Sequence, residues 1–379
     1  MNGNMQLVSL RNILQEYKEI NTENLYRPVA VGKYGIRKRE DIYSKELAKD
    51  YSKNKIIHEG TLTVGMGSSQ IDIGILSSNE IYSVSPAYKT FNIKNINYDY
   101  LRYYLEHRNK DMSKRYLLAS CRQGKTVDIK RWLDYKVVVY SIETQTKIVD
   151  NIDKINDLIS KQQKALILLD NLVKSRFIEM FGDVVNNTKN FDVYPLEKLC
   201  KKILGGGTPS KSHAEYFLGN IPWITPKDMK NFIINDSIDH ITNEAINNSS
   251  TKLIPANSVL IVIRSGILKR TFPVAINTKA VTINQDMKAF ILSEKILPIY
   301  LAMLFKLEEK EIISKIRGVT ADNINFNDFK QRGILLPPLE SQREFSKFYI
   351  RINKSKVEIQ KSLDKLEMLK KSLMQQYFG

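Results

Sequence analysis

Between Glu143 and Gly182, apolar side chains return at alternating steps of four and three. The positions are Ile148, Ile152, Ile155, Ile159, Gln162, Leu166, Leu169, Val173, Arg176 and Met180. This spacing is the seam of a coiled coil, so it predicts one long helix, with Gly182 as its stop. The same ten positions recur 197 residues later (340 − 143) as Phe345, Tyr349, Ile352, Lys356, Ile359, Leu363, Leu366, Lys370, Leu373 and Tyr377. Polar interruptions fall at different places in the two stretches, which suits a register device between unlike seams. Each helix spans about 37 residues, or ~55 Å at the usual rise. Such a helix alone would leave its seam in water. The pattern therefore predicts that the two pack on each other, antiparallel if the halves are related by a pseudo-two-fold axis. The alternative, each helix packed on its own globular domain, calls for a wider apolar stripe than this spacing provides.

The repeat is not confined to the helices. Glu143, Gln145, Leu172, Lys174, Ser175, Phe181 and Gly182 return as Glu340, Gln342, Leu369, Lys371, Ser372, Phe378 and Gly379. Upstream, the segment 57–68 overlies 254–265, Lys89 and Phe91 match Lys288 and Phe290, and Ile96, Tyr100 and Leu101 match Ile296, Tyr300 and Leu301. A period this long is a duplicated domain-plus-helix unit, not a solenoid. Short β-rich runs at 60–64 and 132–140, with a helical stretch near 98–108, predict a mixed domain ahead of each helix. The expected fold is α+β, with two tandem pseudo-symmetric domains and a packed helix pair. Its expected segments are a first domain at 1–142, a helix at 143–182, a polar linker at 183–193, a second domain at 194–339 and a helix at 340–379.

Composition changes this picture in one respect. Lysine and arginine total 58 against 41 acidic residues, a formal charge of +17, which points to a polyanionic partner. No apolar run approaches the ~18 residues of a membrane span, and the first residues lack a signal pattern, so a cytoplasmic protein with no membrane partner is expected. Cys121 and Cys200 lack CxxC spacing, and His58, His107, His213 and His240 are dispersed, so neither a disulfide framework nor a metal site is indicated. The run Gly205-Gly206-Gly207 fails the phosphate-loop spacing and reads as a glycine-rich turn, while Trp223, flanked by Ile221, Pro222 and Ile224, reads as core.

Several motifs then converge. The second half carries Gly205-Gly206-Gly207-Thr208-Pro209-Ser210, Tyr216-Phe217, Gly219-Asn220-Ile221-Pro222-Trp223-Ile224 and Asp228. The first half carries Val29 to Tyr34, Gly35-Ile36 and the basic run Arg37-Lys38-Arg39. Ahead of the helices stand Ser141-Ile142-Glu143-Thr144-Gln145 and Pro337-Pro338-Leu339-Glu340-Ser341-Gln342. In this combination, over essentially its full length, the chain resembles the specificity subunit of Type I restriction-modification systems. Ser141 stands where the second copy has Pro338, which leaves the shape of that turn open. The resemblance implies two target-recognition domains, each reading one half of an asymmetric bipartite double-stranded DNA target, with the helices as spacer. It implies no catalysis and no cofactor in this chain. Methylation would belong to two modification (methyltransferase) subunits using S-adenosylmethionine, and cleavage to restriction subunits using ATP and Mg, in a prokaryotic phage-defence complex.

Phosphates are met by Lys and Arg, and bases by planar donors and acceptors, so the polar loops supply the candidate DNA contacts. In the first domain these are Lys33, Arg37, Lys38, Arg39, Ser68, Ser69, Gln70, Arg122, Gln123 and Lys125. In the second they are Thr208, Ser210, Lys211, Lys227, Arg264, Ser265, Lys269, Arg270, Arg317 and Asn323. Two rival readings stand beside this one. A stand-alone methyltransferase is echoed by Val64-Gly65-Met66-Gly67 and Ser85-Pro86-Ala87-Tyr88, but the tetrapeptide lacks its second proline. A coiled-coil DNA-associated adaptor without sequence specificity explains the helices but not two differently decorated domains.

Overall fold

The computed structural model describes residues 5–32, 35–45, 50–65, 67, 69–119, 125–316 and 323–379. Two compact units divide the chain: Met1–Gln163 with Lys361–Gly379, and Lys164–Gln360. Each unit therefore draws on both long helices, Ile142–Phe181 and Leu339–Phe378, which run for 40 residues each.

The first unit is built on an antiparallel sheet in the order Leu14–Tyr17, Lys89–Ile93, Leu62–Val64, Ile73–Ile75. Leu62, Phe91, Tyr100 and Trp132 are fully or almost fully buried in its core. The helix expected near 98–108 starts at Tyr98 because the Asn97 side chain accepts from the amides of Asp99 and Tyr100, and it continues to Tyr116. The run 132–140 is strand only over Lys136–Val139, which pairs with Gln6–Ser9. Trp132 instead closes a helical turn, Ile129–Trp132, that Asp128 caps through the amide of Arg131.

In the second unit the sheet order is Cys200–Gly205, Met287–Leu292, Val259–Val262, Val274–Asn277, Ile233–Ile234. The first four strands repeat the order of the first unit, and a parallel fifth strand is added at the edge. The helix Pro298–Leu307 matches Tyr98–Tyr116, with proline at its start where no amide donor is needed. A second helix, Glu309–Ile316, follows.

The residues that repeat at a fixed offset are those that dock the long helices. Gln145 is buried, accepts from the Asn97 amide at 2.8 Å and donates to the Tyr140 carbonyl at 2.7 Å. Gln342 is equally buried, accepts from the Leu297 amide at 2.9 Å and donates to the carbonyls of Lys295 and Pro337. Tyr100 donates to the Val138 carbonyl, and Tyr300 to that of Leu335. With Ser141 in place of proline the turn keeps its form, since Gln145 N bonds Ser141 O just as Gln342 N bonds Pro338 O.

Every seam position of both helices is buried or half-buried. The polar interruptions Gln162, Arg176 and Lys356 have partners across the seam. In the second unit Arg176 meets Glu344 at 2.6 Å and Lys356 meets Asp170 at 2.5 Å, an antiparallel register. In the first unit Gln162 donates to the Ser362 hydroxyl at 3.3 Å. The helix ends carry aromatic anchors: Phe181 packs on Tyr300 and Phe345, and Phe378 on Tyr100 and Tyr104. Gly182 ends the first helix with φ +74°, a conformation that favours glycine. The following polar stretch is folded on itself, with Asn187 bonding both the amide and the carbonyl of Phe191.

Candidate nucleic-acid interface

In the second domain one short loop, Asn284 to Asp286, gathers candidates from distant parts of the sequence. Gly206 lets the chain approach it, since a Cβ there would lie 2.0 Å from the Ile283 carbonyl oxygen and 2.2 Å from that of Asn284. Trp223, buried as expected, fixes the same turn by donating its indole N–H to the Gly207 carbonyl at 3.1 Å. The glycine run is thus a close-packed turn. It delivers Thr208, whose hydroxyl bonds the Gln285 side chain.

On the other side of the loop, Arg264 follows the strand Val259–Val262, and its Nε donates to Asp286 Oδ1 at 2.7 Å. Asn323 forms an isolated bridge with Arg264, and the Ile324 amide donates to the Ile263 carbonyl. Ser265 caps the turn Gly266–Lys269. Beyond it, Thr271 and the Phe272 amide both donate to Glu309 at 2.6 Å, which ties down the segment carrying Lys269 and Arg270. Arg264, Ser265, Thr208 and Asn323 are thereby brought together through their shared neighbours. Lys211 and Lys227 are exposed on separate turns: Ser210 bonds Ser212, and Asp228 accepts from the Thr225 amide and hydroxyl.

In the first domain, Arg37, Lys38 and Gln70 line a single cleft of about 880 Å³, together with Glu80, Tyr82 and Arg102. Lys38 lies 3.4 Å from Glu80 and over the Tyr82 ring. A second cleft of about 650 Å³ is lined by Lys38 and Arg39 with Tyr26, Arg27, Tyr43 and Tyr82, and Arg39 stands over the Tyr43 ring. Cations interleaved with aromatic faces are a surface suited to nucleic acid. Ser69 is exposed on the loop after Leu62–Val64, the counterpart of the loop after Val259–Val262. Lys125 begins the strand Lys125–Val127. Lys33, Ser68, Arg122, Gln123 and Arg317 lie outside the described residues.

Sequence reasoning missed Asn284, Gln285 and Asp286, a polar triplet between two apolar strands, and the tyrosines beside the first-domain cations. Both were visible as local patterns, but their neighbours across the sheet were not. The faint cofactor-loop echo at Gly65 has a packing cause, since a Cβ there would lie 2.9 Å from the Tyr88 ring. Among the described residues no group of His, Cys, Asp and Glu side chains has metal-binding geometry, and no helix is long and apolar enough to cross a membrane. Burial pushes the Cys200 thiol up to about 12, which leaves it a weak nucleophile.

A family model of the Type I restriction modification DNA specificity domain matches residues 188–371. The EcoR124I/EcoR124II specificity subunit of Escherichia coli is 36% identical over 207 residues, covering 54% of this chain and 50% of that protein. The MjaIX specificity subunit of Methanocaldococcus jannaschii is 30% identical over 182 residues, covering 46% of this chain and 41% of that protein. The chain thus spans half or less of the length of these curated relatives. Likeness of fold reaches further: the crystal structure of a Type I restriction-modification S subunit from M. genitalium aligns over 100% of this chain and 97% of its own, with a TM-score of 0.63 at 11% identity. The second half of the chain thus matches a Type I restriction modification DNA specificity domain, and the fold of a Type I restriction-modification S subunit extends over both halves.

Proposed function

We propose that this chain supplies DNA sequence specificity to a Type I restriction-modification assembly. Segments 1–142 and 194–339 act as two target-recognition domains, each reading one half of an asymmetric bipartite target. The observation that carries this reading is that equivalent loops on equivalent sheets bear unlike polar sets. Gly67 and Ala87 stand where the second domain has Arg264 and Asp286. Two copies of one scaffold with different decoration fit two different half-sites.

The helices at 143–182 and 340–379 act as spacer and docking surface, with 183–193 as linker. Major grooves on one face of a duplex repeat every ~34–36 Å, within the span of a helix of that length. The charge of +17 serves the phosphate term of binding, while the loops serve the bases. Catalysis lies with partners: two methyltransferase subunits using S-adenosylmethionine, and restriction subunits using ATP and Mg.

Co-expression with the methyltransferase encoded beside this chain, followed by mapping of modified adenines across the host genome, tests the proposal. The expected result is a two-part motif with a fixed nonspecific gap. Methylation at an uninterrupted motif, or methylation without this chain, would sink it and favour the adaptor reading.

A further inference from the structure

We infer that Arg264, held by Asp286, reads a guanine in the half-site of the second domain; this rests on the specificity reading above. The inference starts from which guanidinium nitrogens are occupied. Asp286 takes Nε at 2.7 Å, and among the described residues nothing bonds either terminal nitrogen, Nη1 or Nη2. The side chain is half-exposed, so those two nitrogens are accessible as a paired set of donors.

The support beneath this pair is rigid. Asp286 Oδ2 accepts from Asn284 Nδ2 at 3.0 Å, the Asp286 amide donates to Asn284 Oδ1, and the Asp286 carbonyl accepts from the amides of Ile263 and Arg264. Arg264 is further fixed by its bridge to Asn323. An arginine so held cannot sweep its surroundings as an exposed lysine does, and it presents its donors in one plane.

Guanine offers two acceptors, N7 and O6, on its major-groove edge, and an arginine fork matches them. A phosphate would accept the same fork, but Asp286 argues against it. The carboxylate cancels most of the guanidinium charge and would repel a phosphate placed beside it, whereas the guanine edge carries no net charge. The planar amides of Gln285 and Asn323 beside Arg264 also suit base edges better than phosphates. In this account Arg264 is the reading residue and Asp286 its positioning residue. The first domain, with Gly67 and Ala87 at these places, has no such device.

The test uses the full chain with its methyltransferase partner, mapping methylation for wild type, Arg264→Lys and Asp286→Asn. The inference expects one guanine position, in one half-site only, to lose discrimination by on the order of ten- to a hundredfold in both variants. The other half-site should be unchanged. A uniform fall at every position would make Arg264 a phosphate contact and overturn the inference. So would a second half-site without guanine.

A DNA-side measurement stands independent of variant folding. With wild-type protein, 7-deazaguanine at the recognised position removes N7 and should weaken binding. Hypoxanthine keeps N7 and O6 and should not. Equal binding to 7-deazaguanine overturns the inference even if the two-part motif stands, while a wild-type protein that directs no two-part motif overturns the specificity reading and this inference with it.

Discussion

In the second domain Arg332 lies 3.0 Å from Glu308 and 2.9 Å from Glu311, and Glu308 is almost wholly buried. In the first domain the same three places hold Tyr135, Arg108 and Asp111. There Arg108 donates to the Tyr135 hydroxyl at 3.0 Å, with Asp111 3.8 Å away. The sheet order, the buried glutamine and the tyrosine-to-carbonyl bond are the same in both domains. Contacts to the backbone are thus kept while the side-chain charges are rewired. The difference teaches what a duplicated scaffold must hold fixed: the groups that satisfy main-chain donors and acceptors, but not the sign of the charges between them.

The sharpest way to break this comparison is to change, in each network, the residue at the position shared by Arg332 and Tyr135. Arg332→Met leaves Glu308 buried without its partner, and losing one member of a buried pair costs about 3–5 kcal/mol. Burial already pushes the Glu308 carboxyl up while Arg332 pulls it down, so this variant should also bind a proton there. Tyr135→Phe removes the hydroxyl that Arg108 donates to and leaves no charge unpaired in the core, so it should cost about 1 kcal/mol. Chemical denaturation of the full chain measures both. Equal, small losses would mean the two networks contribute alike and the contrast is only geometric.

A smaller and matched effect is expected where the halves agree. Gln145→Leu and Gln342→Leu each strand buried main-chain groups, with a cost of about 1–3 kcal/mol apiece. Both clamps hold one amide and one carbonyl, and Gln342 holds a second carbonyl as well, so its loss should match that of Gln145 or exceed it by about 1 kcal/mol. A neutral result at either position would show that the docking of that helix does not depend on its glutamine.

The helix pair was legible in the sequence because strict three-four spacing needs only local counting. The duplicated sheets were legible because the copies could be overlaid. Trp223 and the glycine turn could be read from their immediate neighbours. The Arg264–Asp286 pair was not legible, because its members are joined only by the pairing of Val259–Val262 with Met287–Leu292, a register no local pattern states. Glu308 and Arg332 escaped for the same reason. The buried glutamines were visible as a repeated residue, but their role depends on main-chain groups, which leave no trace in composition. In the first domain the basic run announced itself, while the acidic Glu80 and the tyrosines that shape its clefts come from other segments.

The smallest expected effect concerns acid, and it separates the domains again. Burial pushes the Asp72 carboxyl up to about 6 from an ordinary 3.8. Its counterpart in the second domain is Pro273, whose carbonyl accepts from the Val262 amide as that of Asp72 accepts from Gly65, and which carries no carboxylate. Below pH 3.8 Asp72 is protonated in both folded and unfolded chains and costs nothing. Between 3.8 and about 6 the folded chain holds a proton that the unfolded chain has shed, so its contribution to stability falls as pH rises and then levels off above about 6. Asp72→Asn should therefore flatten the pH dependence of the first domain's unfolding across that window and raise its stability near pH 8, while the second domain keeps its wild-type profile. The side chain is half-buried, so the effect should be modest, and unfolding midpoints of wild type and variant from pH 4 to 8 are the measurement. Parallel profiles would mean that Asp72 stays ionised in the folded domain and that solvent reaches it after all.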